Sequence, residues 1–395
     1  MRLAVVGRFA VPVESREAAT WFFGDLFVPH GRRERLVRAM ARRAAGWGAP
    51  VAAAFPRRAR RAALAGEAPW QDAVAAADWL LDGARRPLLD AAGLRGPVDS
   101  LLVADYAGSA RRRTLVFLFA EGSPRPTAMA KVRPLAAAGS SLAAEREAIE
   151  RVRGELPGDL AAAVPAVLGG RREDEHEALL LATLAGRSIW TDLHAAWRPA
   201  RRAECHLLAA ADWLARFHTA TRREGTFRLP PWSQIAAAGE PEPPPWYRRL
   251  ADRLARRPLP LAGGHGDFWA RNVLLAGGAV SAVVDWEAAR PAAPPFEDLF
   301  TFVWSYGLGF PWRGGGPLPA GEAFRRAFLD DDPLSRAIAA ALGRYGAAHG
   351  LDGETLGDLF RLWLRTRPAD GPEGGDTWRT SERRLGEAGR SVFSG

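Results

Sequence analysis

The chain has 395 residues, 48% hydrophobic and 25% charged. That is long enough for two or three domains around a large buried core, and too apolar for a disordered chain. The single cysteine, Cys205, excludes an internal disulfide framework and a cysteine-based zinc site. No apolar run reaches the ~20 residues of a membrane-spanning helix, and Gly7-Arg8 interrupts the apolar N-terminus before it could act as a signal sequence. A cytoplasmic protein without a membrane span is expected. The net charge of +9 suggests a nucleic-acid partner at first sight. However, 53 of the 54 basic residues are arginines, spread in pairs and not interleaved with aromatics along one stripe. Solvated surface arginine explains them, and no nucleic-acid partner is expected.

Residues 1–98 are rich in Ala and Arg, with helical spacing at 35–46 and 69–83 and no catalytic motif. They read as an accessory, mainly helical region. From residue 99 the pattern changes to short apolar runs at 100–106, 114–120 and 127–133, separated by turn-rich pieces. Residues 140–156 read as a helix, with Leu142, Ile149 and Val152 on one face and Pro157-Gly158 as its stop. Two further strands are predicted at 163–168 and 177–184, completing a five-stranded sheet. Residues 186–395 are mainly helical, beginning with a strong helix at 202–221. GEPEPPP at 239–245 is a loop, and the runs 273–275 and 280–285 flank Gly277-Gly278 as a β-hairpin. The three segments 1–98, 99–185 and 186–395 are the expected domains.

Lysine and asparagine each occur once, as Lys131 and Asn272, in a composition dominated by Ala, Arg, Gly and Pro. A residue type almost eliminated from a chain persists best where its chemistry has no substitute, so their surroundings are informative. Asn272 lies in 265-HGDFWARNVLL-275, five residues after Asp267, and 280-VSAVVDWE-287 follows with Asp285 at its strand end. Phosphoryl transfer from a Mg-bound nucleotide needs such a set. One carboxylate orients the acceptor hydroxyl, while an amide oxygen and a second carboxylate hold the metal. Lys131 stands near the end of the third predicted strand, where a nucleotide's phosphates would be contacted. Glu145 on the next helix is its candidate partner, and is favoured over Glu147 because its face is the more apolar one.

These motifs resemble those of the aminoglycoside phosphotransferase and choline kinase-like family, relatives of protein kinases. The resemblance covers about residues 100–310. It extends to LLLATLAGRSI at 179–189, WLARFHT at 213–219 and PPFEDLF at 294–300. It implies an α+β, two-lobed protein kinase-like fold, with a small five-stranded antiparallel lobe, a larger helical lobe, and ATP bound between them with Mg2+. GTP is the alternative nucleotide. By the same resemblance Asp267 would be the catalytic base or hydroxyl-orienting residue, Asn272 and Asp285 the metal ligands, Lys131 the phosphate contact and Glu145 its partner. Backbone at Ala182, Thr183 and Leu184 would meet the base, while His265 and Asp298 would support the catalytic loop. The loop at 107–113 has a single glycine, so Gly108 and Ser109 are weak stand-ins for the family's glycine-rich phosphate cover.

Only twelve residues separate Asp285 from Asp298 and no Ala-Pro-Glu follows, so a small-molecule hydroxyl is expected as acceptor in place of a protein. A sugar, an amino alcohol and an aminoglycoside-like substrate all remain open. Glu287, Trp304, Tyr306 and Trp312 are candidate substrate contacts through charge or aromatic faces. The alternative reading is a catalytically weak pseudokinase serving as a nucleotide-binding or scaffolding module; retention of the only Lys and the only Asn argues against it.

Overall fold

The computed structural model describes residues 3–6, 9–12, 15–26, 68–82, 86–96, 98–104, 113–136, 141–173, 175–196, 199–236, 240–312, 318–367, 380–385, 388 and 392–393. The chain divides into two compact units, Met1–Gly154 with Ala162–Arg187, and Glu155–Ala161 with Ser188–Gly395. Among the described residues no helix is long and apolar enough to cross a membrane.

The first unit is built on a seven-stranded antiparallel sheet. Its strands are β1 (Leu3–Val6), β2 (Phe9–Pro12), β3 (Val98–Ala104), β4 (Thr114–Ala120), β5 (Ala128–Pro134), β6 (Val167–Glu173) and β7 (His176–Ala182), in the order β1-β2-β3-β4-β5-β7-β6. β3, β4, β5 and β7 match predicted strands to within two residues, whereas β6 starts four residues later than the predicted 163–168 and overlaps it only at Val167 and Leu168. The other two correct the expected strand count: residues 3–6 and 9–12, assigned from sequence to a helical accessory region, pair as antiparallel strands, and Phe9 and Ala10 pair in turn with Val103 and Leu102. Four-residue apolar runs carry too few periods to separate strand from helix, and the partner strand lies far along the chain.

Side chains alternate across β4, β5 and β7. Val116, Leu118, Ala130, Val132 and Leu180 face one way and pack against Ala76, Ala77 and Leu80 of the Ala68–Leu81 helix. Lys131 faces the other way. Leu115 pairs across from Lys131, and Phe117 across from Met129, so these four share a face. Leu115, Phe117 and Met129 are only half-buried, which leaves an apolar surface beside the lysine. Over the next stretch the Leu142–Glu155 helix buries Leu142, Glu145, Ala148, Ile149 and Val152, a stripe of helical period. Its first turn is fixed by Glu177 on β7, whose Oε1 accepts the Leu142 N–H at 3.1 Å and lies 3.3 Å from Arg133 Nε.

β8 (Arg187–Ser188) stands at the boundary in sequence. In the second unit the Ala200–Ala220 helix packs along the Pro333–His349 helix. A small antiparallel sheet runs β13-β10-β9, from β9 (Arg222–Thr226), β10 (Pro260–Gly264) and β13 (Arg290–Ala293). β11 (Val273–Ala276) and β12 (Ala279–Val283) form the predicted hairpin, with Gly277 and Gly278 both at positive φ (61° and 85°) as a tight two-residue turn demands. The Phe296–Leu308 helix is apolar on nearly every side. Phe300, Phe302, Trp304 and Tyr306 are all buried, so it forms the centre of the unit.

Candidate active site

β10 delivers the chain to His265-Gly266-Asp267, and its neighbour β13 leads into the Phe296–Leu308 helix, so Asp298 in that helix's first turn meets the loop. One Asp298 oxygen accepts the His265 N–H at 2.7 Å and the other accepts the Gly266 N–H at 2.9 Å. Burial alone would raise the Asp298 pKa. Contact with His218, the field of His265 and the backbone bond more than offset this, and hold it below the usual carboxylate value. Gly266 has φ +81°, and a Cβ there would lie 2.2 Å from the Ala288 carbonyl oxygen, so only glycine fits this turn.

His265 is fully buried, with its ring 4.5 Å from that of Trp286. Its Nδ1 accepts the Asp267 N–H at 3.2 Å, and its Nε2 lies 3.1 Å from the Val284 carbonyl. Those partners require the Nε2–H tautomer, which ties the loop to the end of β12. Asn272 follows one turn later. Its Nδ2 donates to the Asp267 carbonyl and to Asp267 Oδ2, both at 3.0 Å. The amide nitrogen is thereby committed to the carboxylate, and Oδ1 remains as a hard oxygen donor. The Val284 N–H donates to the Asn272 carbonyl at 2.9 Å, so the hairpin brings Asn272 to the strand end that carries Asp285.

Asp285 has φ 69° and ψ 63°, and is the only non-glycine residue at positive φ among the described residues. A left-handed aspartate at a strand end is an uncommon conformation that surrounding structure must enforce, as it often does at functional sites. Burial raises the pKa of Asp267. His265 and Asn272 oppose that rise, and the neighbouring charge of Asp285 adds to it. Asp267, Asn272 and Asp285 therefore form one cluster of oxygen-bearing groups on a rigid loop and hairpin. Glu287 is half-buried in the short helical turn that follows.

In the first unit, Lys131 Nζ lies 2.6 Å from Glu145 Oε1, with residue exposures of 4% and 1%. The Arg133–Glu177 pair beneath it, which sequence reading missed, sets the helix position that makes this contact. Of the three backbone positions expected to meet a base, Ala182 donates its N–H to Ala166 O at 2.9 Å and Thr183 to Thr127 O at 3.4 Å. Only the Leu184 N–H has no partner among the described residues. Gly108 and Ser109 lie outside the described residues.

The expected aromatic substrate contacts need correction. Trp304 is buried among Phe324, Phe328 and Trp363. Tyr306 is fully buried, with its hydroxyl 3.0 Å from His206 Nδ1. Trp312 packs edge-on against Phe310 and is also buried. Trp304 and Tyr306 are core because the helix that carries them is buried around most of its circumference, and Trp312 is itself buried. His206 also reaches Asp192 Oδ2 at 3.0 Å, a polar line that sequence reading missed. The signal was a histidine among Ala203, Leu207 and Ala210 on the apolar stripe of its helix.

The family model described as the phosphotransferase enzyme family, APH, matches residues 109–333, more than half of the chain. The chain belongs to this family. It is a phosphotransferase. Among solved structures it is similar to a thermostable mutant aminoglycoside phosphotransferase in ternary complex with ADP and hygromycin B. That match has 14% identity, covers 80% of this chain and 99% of that one, and has a TM-score of 0.42. An aminoglycoside-3'-phosphotransferase of type VIII matches at 21% identity, covering 72% and 99%, with a TM-score of 0.40. A macrolide 2'-phosphotransferase from Brachybacterium faecium matches at 19% identity, covering 78% and 98%, with a TM-score of 0.41. No curated protein sequence matches this chain.

Proposed function

We propose that the phosphotransferase moves the γ-phosphoryl group of ATP, with GTP as the alternative donor, to a hydroxyl of a small molecule in a Mg2+-dependent reaction. The observation that carries this reading is the Asp267–Asn272–Asp285 cluster. Asn272 commits its nitrogen to Asp267 and leaves an oxygen, Asp285 adds a carboxylate, and hard oxygen donors of this kind suit Mg2+. When bound, the metal supplies charge neutralisation on the phosphates.

Asp267 serves as the group that orients and accepts the acceptor's proton. The hydroxyl oxygen forms its bond to the γ-phosphorus, the bridging P–O bond to the nucleoside diphosphate breaks, and the proton passes to the Asp267 carboxylate. Asn272 holds that carboxylate in place, and Asp298 and His265 hold the loop that carries it. Lys131, held by Glu145, contacts the phosphates. The half-buried Leu115, Phe117 and Met129 beside Lys131 offer an apolar floor for a base, and the Leu184 N–H offers a donor. The acceptor is a sugar, an amino alcohol or an aminoglycoside-like compound, and Glu287 is the remaining candidate for contact with it.

Asp267→Asn tests the reading. Turnover should fall by about 10²–10⁴ while nucleotide affinity is kept, since the base is removed and the binding groups are not. An unchanged rate removes Asp267 from the mechanism.

A further inference from the structure

The segment Ser15–Leu26 lies outside the family match, and nothing above gives it a role. Ser15 caps its helix by accepting the Ala18 N–H at 3.2 Å, and Ala18, Ala19 and Phe22 are fully buried anchors. Trp21 is only half-buried. Its ring centroid lies 4.8 Å from that of Phe117 and 5.8 Å from that of Phe119. Phe117 pairs across from Met129, and Leu115, two residues earlier on β4, pairs across from Lys131. Trp21 therefore stands on the Lys131 face of the sheet and not on the face covered by the Ala68–Leu81 helix.

Its place along the strands is equally specific. Thr127 donates its N–H to Leu118 O, and Thr183 donates its N–H to Thr127 O, so the end of β4 that carries Phe117 and Phe119 adjoins the Thr183–Leu184 backbone. Four residues past Thr183, Arg187 Nε lies 3.4 Å from Asp25 Oδ1, at the far end of the same N-terminal segment. Trp21 is thus at the base end of the Lys131 face, away from the phosphate end.

We propose that Ser15–Leu26 forms a wall of the nucleotide site, with the Trp21 indole stacking on the purine and the Asp25–Arg187 pair fastening the segment beside the base-contacting backbone. The proposal rests on the phosphoryl-transfer reading given above. A large aromatic ring, partly exposed and fixed by buried neighbours, is preorganised for stacking and costs little ordering on binding.

The test is calorimetric titration of wild type, Trp21→Ala, Trp21→Phe and Lys131→Ala with Mg-ADP and with inorganic tripolyphosphate, which has no base. Trp21→Ala should weaken Mg-ADP by about tenfold, the size expected for one lost stacking partner. Trp21→Phe should recover most of that loss, and neither should alter tripolyphosphate binding. Hydrogen exchange of residues 15–26 in wild type should slow when Mg-ADP binds, a readout independent of any variant's folding. Unchanged or tighter Mg-ADP binding by Trp21→Ala overturns the wall, as does an equal loss for tripolyphosphate. If Lys131→Ala weakens both ligands while Trp21→Ala weakens neither, the wall fails and the kinase reading stands. If wild type binds neither ligand, both fall.

Discussion

Asp298→Asn isolates the clamp that holds the His265–Asp267 loop. The carboxylate is 2% exposed and accepts two N–H groups, from His265 at 2.7 Å and Gly266 at 2.9 Å. An asparagine has one acceptor oxygen and one NH2 group, so whichever way it turns, one loop N–H faces another donor. One charge-assisted bond is lost, worth about 1.5–3 kcal/mol, and the orphaned N–H brings the total to roughly 3 kcal/mol. For a unit of this size that is about 6–12 °C in Tm. The same change loosens the loop at the two residues before Asp267, and a displacement near 1 Å there costs about 10²-fold in kcat. Nucleotide affinity should hold, because Asp298 lies behind the loop and not among the groups assigned to the ligand. Thermal unfolding, steady-state turnover and nucleotide titration read the three quantities separately. A variant as stable as wild type, with kcat within twofold, would show that the clamp does not position the loop.

Two further outcomes follow from buried groups. Lys131→Ala strands the Glu145 carboxylate at 1% exposure, which should cost about 3–5 kcal/mol of stability and weaken nucleotide binding. The double change Lys131→Met with Glu145→Gln should regain most of the stability and none of the binding, as chemical denaturation and titration would show; recovery of both would remove the phosphate role. His349 has its pKa lowered to about 4 by burial and by the nearby His218 and Arg222. The unfolded chain takes up that proton near pH 6.5 and the folded chain only near 4, so stability falls as pH drops through this window. His349→Phe should flatten the fall in a series of unfolding curves, and an unchanged slope would place the titrating group elsewhere.

The juxtaposition of the candidate residues was legible because they are close in sequence. Asp267 and Asn272 sit on one loop, and the Gly277-Gly278 turn fixes the register that returns the chain to Asp285. Lys131 and Glu145 were legible for a similar reason, on a strand and the helix that follows it. What escaped depends on contacts distant in sequence. The pairing of Phe9 with Val103 and the ion pair of Arg133 with Glu177 leave no local periodicity to read. Trp304 and Tyr306 misled for the opposite reason: local clustering of aromatics suggested a surface, while the packing of Trp363, Phe324 and His206 around them makes a core.

We propose that this chain binds a nucleotide through a metal held at Asn272 and Asp285. Titration of ATP and GTP into wild type and Asp285→Ala, each with and without Mg2+, tests it most directly. Mg2+ should tighten binding of at least one nucleotide to wild type, and Asp285→Ala should abolish the tightening. Nucleotide affinity indifferent to Mg2+, or a Mg2+ effect that survives in Asp285→Ala, would contradict it.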